Sequence, residues 1–340
     1  MGKVVGFGDM LVRLSPPGYQ RFLQAASFDV NYTGAEANVL VGLSNNGIDT
    51  EFVTRLPDNA ISACAVSMLK RFSVGTSHIA YGGNRLGVFY CEKGASQRPS
   101  KIVYDRKYTA ISEAKPTDFN WDNIFQGADW FHFTGITPAL GEHLPQVVEE
   151  ACQKAHAAGI TISCDLNYRS ALWSEEKAQS VMKNLMQYVD ILIGNEEDAC
   201  KVLGAVPGNT DVNSGKLDYS GYVSIAEQLI NTYHFKKVAF SLRESISASD
   251  NNWSAMLFSD GKCFQSKKYS IHLIDRVGGG DSFAAGLIYG LMKAFDPQTV
   301  IEYATAAACL KQTMEMDFNL STEDEIFRLM GGDSSGRIQR

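Results

Sequence analysis

The sequence predicts an α/β protein: a mostly parallel sheet with helices on both faces, and a second, smaller β-sheet. Three observations predict it. Short apolar runs alternate with helical stretches from residue 130 onward, the pattern of parallel strands buried on both sides. Two regions, about 10–33 and 76–110, instead alternate apolar and polar residues, as half-exposed strands do. Finally, Asp275-Arg276-Val277-Gly278-Gly279-Gly280-Asp281-Ser282-Phe283 joins a strand to an apolar helix through three successive glycines. We read residues 1–330 as one domain with the strands of the smaller sheet inserted at those two regions, and 331–340 as a polar, frayed tail.

Composition narrows the function. The 340 residues are 45% hydrophobic and 20% charged, with a net charge of −7, an ordinary globular balance. That charge argues against a nucleic-acid partner, which requires clustered positive charge, but leaves room for a small anionic substrate, since local charge decides that. The seven cysteines include no Cys-x-x-Cys, and the six histidines show no zinc spacing; reduced cysteines in apolar runs suit a cytoplasmic protein. No apolar run reaches 18 residues, so no membrane span is expected. Met-Gly-Lys-Val-Val enters a strand at once, leaving no room for a signal peptide.

Taken in order, Lys3–Phe7 is a strand ending in Gly-Asp, and Asp9 lies at its carboxyl end, where open α/β sheets bind ligands. Ala35–Asn45 is a helix stopped by Gly47. Glu51–Arg55 is a strand, and Asp58 is placed to cap the next helix, which runs to about Phe72. In the second of these regions, Arg85–Cys91 and Lys101–Tyr108 are strands; Tyr104 and Arg106 are two apart and leave one face, with Tyr90 placed similarly. Such a face is either a solvated edge or the roof of a pocket.

From Trp130 the chain reads strand–helix–strand. Trp130–Phe133, Thr161–Asp165 and Ile191–Gly194 are strands, and Ser174 caps an intervening helix whose first turn holds Glu175 and Glu176. Arg169 falls just past a strand end, flanked by Asp165 and Asn167; it is a site residue or a loop arginine with a local partner. Gly204–Gly221 is a loop. Lys237–Ser241 is a strand, Trp253–Phe258 and Lys262–Ser266 form a hairpin, and Thr299 starts a helix that ends near Lys311. The last helix is about Thr322–Met330.

Three glycines in a row cannot form a helix interior, since each costs about 1 kcal/mol against Ala there. They therefore form a turn, with a buried helix starting near Asp281. The free N–H groups at a helix start attract anions, phosphate above all. A carboxylate at that point makes sense if Asp281 takes a proton from the group attacking phosphorus. A plain capped turn fits the same nine residues.

The segment DRVGGGDSFAAGLIYG resembles the C-terminal signature of the ribokinase-like (PfkB-type) carbohydrate kinases, with Gly279 where Ala is usual. GAEANVLVGLSNNGI resembles their N-terminal signature, with Ala35 in place of a second Gly. The likeness runs from Gly6 to Asn319, and Arg276-Val277 together with the LRES run at 242–245 bring it closest to 2-keto-3-deoxygluconate kinases. It implies a three-layer α/β/α sandwich whose lid sheet closes over the sugar and doubles as a homo-oligomer contact. It also implies ATP as donor, Mg²⁺, and a sugar acid phosphorylated at its terminal hydroxyl.

Carried onto this sequence, the likeness makes Asp281 the base and Gly278, Gly279 and Gly280 the anion hole. Asp9, Gly34, Asn38, Tyr90, Tyr104, Arg106, Arg169 and Asp317 would bind the sugar acid, the two arginines taking its carboxylate. Asn195, Ser241 and Arg243 would meet the nucleotide together with Gly278 and Gly280. Asn195 and Asp198 resemble an Asn-x-x-Glu motif that organises Mg²⁺ through water, with Asp for Glu and Glu197 as the other candidate. Asp275 and Val277 would hold a monovalent cation such as K⁺. A neutral-sugar kinase and a catalytically idle sugar-binding protein are the alternatives.

Overall fold

Successive side chains of the central strands enter two separate cores. Val5, Phe7, Phe131, Phe133 and Leu192 enter one, while Val4, Trp130, Ile191 and Ile193 enter the other. That is the consequence of a two-residue repeat in strands apolar on both faces. The computed structural model describes residues 2–206 and 219–333. In chain order the elements are β1 (Lys3–Phe7), β2 (Leu11–Ser15), β3 (Asp29–Thr33), α1 (Ala35–Asn45), β4 (Asp49–Leu56), α2 (Ala60–Arg71) and β5 (Ile79–Tyr81). Then come β6 (Gly87–Glu92), β7 (Lys101–Asp105), α3 (Trp121–Ile124), β8 (Ala128–Thr134), α4 (Leu144–Ala157), β9 (Thr161–Asp165), α5 (Glu175–Met186) and β10 (Ile191–Gly194). The last group is α6 (Glu196–Leu203), α7 (Tyr219–Tyr233), β11 (Lys237–Ser245), β12 (Asp250–Ser259), β13 (Lys262–Gln265), β14 (Tyr269–His272), α8 (Gly279–Met292), α9 (Pro297–Lys311) and α10 (Glu323–Met330).

Among the described residues the main sheet runs β13-β12-β11-β10-β9-β8-β1-β4-β5, with β14 also paired to β12. It is parallel from β11 to β5 and antiparallel around β12. One core packs residues of α3, α4, α5, α6 and α7, and the other packs residues of α1, α2, α8, α9 and α10. This is the three-layer α/β/α arrangement that the resemblance implies. A separate sheet, β3-β2-β6-β7, forms the lid.

Some boundaries differ from the sequence reading. Asn59, not Asp58, caps α2, its Oδ1 accepting the Ser62 N–H at 3.0 Å. Helix α9 starts at Pro297 rather than Thr299, because Asp296 accepts the N–H groups of Gln298 and Thr299 and Pro suits a first turn. Ile79–Tyr81 pairs with β4 in the main sheet, so the second lid segment is β6 and β7. Within the loop read at Gly204–Gly221, residues 207–218 lie outside the described residues and Tyr219 is already helical. In the tail, residues 334–340 lie outside them too.

Helix α8 carries the glycine turn and is buried on nearly every side. A Cβ on Gly286 would stand 2.8 Å from the Ala304 Cα of α9. The small residues of the two helices therefore let the backbones touch and fix the turn relative to the sheet.

Candidate active site

One cavity of about 1530 Å³ lies between the carboxyl ends of the parallel strands, the lid and the start of α8. It holds more than a single drug-sized ligand requires. Gly278 adopts φ +83°, a left-handed conformation natural to glycine. A Cβ there would also stand 2.0 Å from the Asp317 carbonyl oxygen, so two independent constraints demand glycine. Helix α8 begins at Gly279, two residues earlier than expected, because left-handed Gly278 ends the turn and serves as its N-cap. The Gly279 N–H reaches the Arg276 carbonyl at 3.3 Å, so Gly279 is partly engaged within the turn. The N–H groups of Gly278 and Gly280 have no partner among the described residues, and a Cβ on Gly280 would meet nothing within 4 Å beyond its own helix backbone and chain neighbours.

Asp281 lines the cavity in the first turn of α8. Its Oδ2 accepts a 2.6 Å hydrogen bond from Asn38 Nδ2, and Asn38 Oδ1 accepts from the Thr33 hydroxyl at 2.8 Å. Burial pushes the carboxyl up to about 6, opposed by the Asn38 hydrogen bond, raised further by Asp317 and lowered by Arg169 and Lys311. Asn38 thus grips the carboxylate from α1. Gly34, the α1 N-cap, lies so close to Asp9 that a Cβ would stand 1.9 Å from the Asp9 carbonyl oxygen.

The lid supplies Tyr104 and Arg106. The guanidinium lies 5.2 Å from the Tyr104 ring centre and bonds Asp9 Oδ2 at 2.8 Å. The lid is thereby tied to the end of β1, while burial still pushes the Asp9 carboxyl up against the pull of Arg106. Tyr90 does not join them. In the β6–β7 register Phe89 faces Tyr104, and Tyr90 faces Val103, so Tyr90 leaves the opposite face, its ring edge-on to Phe22 and Phe28. Phe89 lines the cavity in its place.

Arg169, Asp165, Asn195, Asp198, Ser241 and Arg243 come together on the far side of the same cavity. Asn195 caps α6 by accepting the Asp198 N–H at 2.8 Å and donates to Asp198 Oδ2 at 3.1 Å. Glu197 also borders the cavity but is more exposed and pairs with Lys201. Burial pushes Asp198 up to about 6, opposed by Arg169. Asp165 is pushed well up, first by burial and then by the nearby Asp198 and Asp281 carboxylates.

The family profile described as pfkB family carbohydrate kinase matches residues 1–315. The chain belongs to the pfkB carbohydrate kinase family. It is 51% identical to a Thermotoga maritima structure described as 2-dehydro-3-deoxygluconokinase, with a TM-score of 0.94 over 97% of this chain and 98% of that one. It is 30% identical to a Haloferax volcanii 2-dehydro-3-deoxygalactonokinase over 98% of each. An Enterococcus faecalis structure described as a putative 2-keto-3-deoxygluconate kinase gives a TM-score of 0.92, covering 100% of this chain and 99% of that one, but at 24% identity speaks for the fold alone.

Three charged residues at or beneath the cavity escaped the sequence reading. Arg13, in a lid strand, is fully buried and bonds Asp275 Oδ2 at 2.6 Å and Asp317 Oδ2 at 3.0 Å. Lys311, also fully buried, donates to the Asp275 carbonyl at 3.1 Å. Arg276 lines the cavity beside Arg243, and its guanidinium pKa is lowered by burial and then by that like charge. The Arg276 signal was available, since the residue sits inside the glycine motif. Arg13 and Lys311 gave none, because each sits in a segment that reads as ordinary strand or helix.

Asp317 therefore spends one oxygen on Arg13 and Asn31. Its Oδ1, Asp9 Oδ1 and the Nε atoms of Arg106 and Arg276 are buried without a partner among the described residues. Unpartnered buried polar atoms around one cavity suit a ligand rich in hydroxyls and charge. Among the described residues, no helix is long and apolar enough to cross a membrane.

Proposed function

We propose that this kinase transfers the γ-phosphoryl group of ATP to the terminal hydroxyl of 2-keto-3-deoxygluconate. The observation that carries the reading is the 51% identity, over nearly the whole chain, to the Thermotoga maritima enzyme of that name. The cavity chemistry supports it: a carboxylate substrate suits guanidinium groups, and Arg106 and Arg169 line one cavity from the lid and the sheet. Asp9 and the free Asp317 oxygen would accept sugar hydroxyls, with Gly34 keeping the floor open. Asp281 takes the proton of the attacking hydroxyl and holds its oxygen in line. Gly278 and Gly280 offer N–H groups to the transferring phosphoryl, whose charge spreads over three oxygens. Arg243, Arg276, Ser241 and Asn195 face the donor's phosphates. Asp198, with Asn195, would hold Mg²⁺ through water, and the raised carboxyls of Asp165 and Asp198 fit a site that gains a cation. When bound, Mg²⁺ neutralises charge on the β- and γ-phosphates.

A coupled ADP assay tests this with 2-keto-3-deoxygluconate, its galactonate epimer, fructose and ribose. The expected result is the highest kcat/KM with 2-keto-3-deoxygluconate; preference for a neutral sugar would overturn it. The Haloferax relative favours the epimer as second reading, since the two acids differ at a single carbon. In the same assay Arg169→Ala raises the KM for the sugar acid well above any change in the KM for ATP. Equal shifts would remove Arg169 from the sugar site.

The lid's outer face bears Val30, Val103 and Tyr90, with Val30 and Val103 54% and 44% exposed. An exposed apolar sheet face of this kind marks an association surface, and we propose that it joins two copies of the chain. Val103→Glu is expected to convert the oligomer to monomer in sedimentation velocity; an unchanged profile would place the contact elsewhere. Free thiols at all seven cysteines suit a cytoplasmic location.

A further inference from the structure

We propose that Lys311, with Arg13 beside it, is a built-in replacement for the monovalent cation expected at the Asp275 turn, so that turnover needs no K⁺. The three Asp275 oxygens that would bind such an ion are already engaged. Asp275 Oδ2 accepts from Arg13 at 2.6 Å, Oδ1 from the Val277 N–H at 3.1 Å, and the carbonyl from Lys311 Nζ at 3.1 Å.

Charge leads to the same conclusion. Arg13 and Lys311 are fully buried, as are Asp275 and Asp317 to within a few per cent. Two cations offset two carboxylates beneath the turn. A further ion would leave an uncompensated charge in a dry interior, which burial strongly disfavours.

The contacts close a ring under the anion hole. Lys311 holds the Asp275 carbonyl, Asp275 holds the Val277 N–H, and Gly278 rests on the Asp317 carbonyl. Arg13 ties Asp317 back to Asp275. Lys311 is thus a positioning residue: it touches no substrate but fixes the backbone whose N–H groups do. A mobile ion is replaced by an ammonium tethered to α9, a helix already locked against α8 by the Gly286–Ala304 contact.

The test uses the full-length enzyme in KCl, NaCl and tetramethylammonium chloride at equal ionic strength. Wild-type kcat is expected to agree within about twofold across the three salts, whichever sugar acid it prefers; saturable activation by K⁺ would overturn the proposal. Lys311→Ala is expected to lose about 10²-fold in kcat in tetramethylammonium chloride, the scale of a displaced anion-hole donor. Added K⁺ or ammonium should restore at least a tenth of the wild-type rate. A folded Lys311→Ala enzyme that neither salt rescues, or one fully active without them, overturns it. If Lys311→Ala does not fold, the wild-type salt series decides. The wild-type unfolding midpoint, read in the same salts, is independent of substrate, so it separates a wrong sugar assignment from a wrong cation assignment. No K⁺-specific rise is expected, and a clear one overturns the proposal.

Discussion

Asp281→Ala is expected to lower kcat by about 10²–10⁴-fold, the range for loss of a positioned general base, while ATP binding measured by calorimetry stays largely intact. The geometry makes the effect selective. Asp281 stands at the cavity end of α8, held by Asn38, with Gly278 and Gly280 next to it in the chain. Removing the carboxylate leaves those N–H groups in place, so the donor still has its partners. Retained turnover would refute the base assignment.

The pH profile provides a second readout. The Asp281 carboxyl is pushed up from 3.8 to about 6, chiefly by burial, and only its deprotonated form accepts the hydroxyl proton. Activity is therefore expected to rise through an acid limb centred near pH 6. An acid limb near the ordinary carboxylate value would show that another group titrates. The sign for stability is the reverse. Folded Asp281 binds its proton more tightly than the unfolded chain does, so its contribution to stability falls as pH rises from about 4 to about 6.

Arg13→Met is expected to destabilise the fold by about 3–5 kcal/mol, because it strands two buried carboxylates without their cation. Arg13 is fully buried and bonds Asp275, Asp317 and the Ser15 hydroxyl. Urea unfolding at neutral pH measures the loss; a change below about 1 kcal/mol would show that Lys311 alone holds the two acids. Adding Asp275→Asn and Asp317→Asn should recover much of the stability, since the penalty lies in unpaired charge rather than in lost packing. Arg13 also joins the lid strand β2 to the turn before α8, so its loss loosens the lid as well as the core.

The fold class was visible because it follows from local physics. Continuous apolar runs such as Ile191–Gly194 read as strands covered on both faces, and they are; the alternating run Leu11–Ser15 reads as a half-exposed strand, yet it is buried on both faces because Arg13 pairs with two buried acids. The left-handed turn at Gly278 was equally legible, since a run of glycines before an apolar helix has few other uses. Strand boundaries and faces were harder. Tyr90 was placed beside Tyr104 by counting along each strand, yet the face depends on the pairing register, which is set by contacts between strands. The caps at Asn59 and Asp296 were each missed by one to three residues, because neighbouring Asp and Thr residues offer similar hydrogen-bonding groups.

The sequence by itself determined the layered α/β frame, the glycine turn and the acid that follows it, because each is written in residues adjacent along the chain. Only the tertiary structure decided which charges meet. Arg13 and Asp317 are some 300 residues apart, Arg106 reaches Asp9 from a different sheet, and Lys311 finds a carbonyl at the turn from the next helix. Buried ion pairs of this kind form where folding brings distant segments together and excludes water, and no local pattern records that.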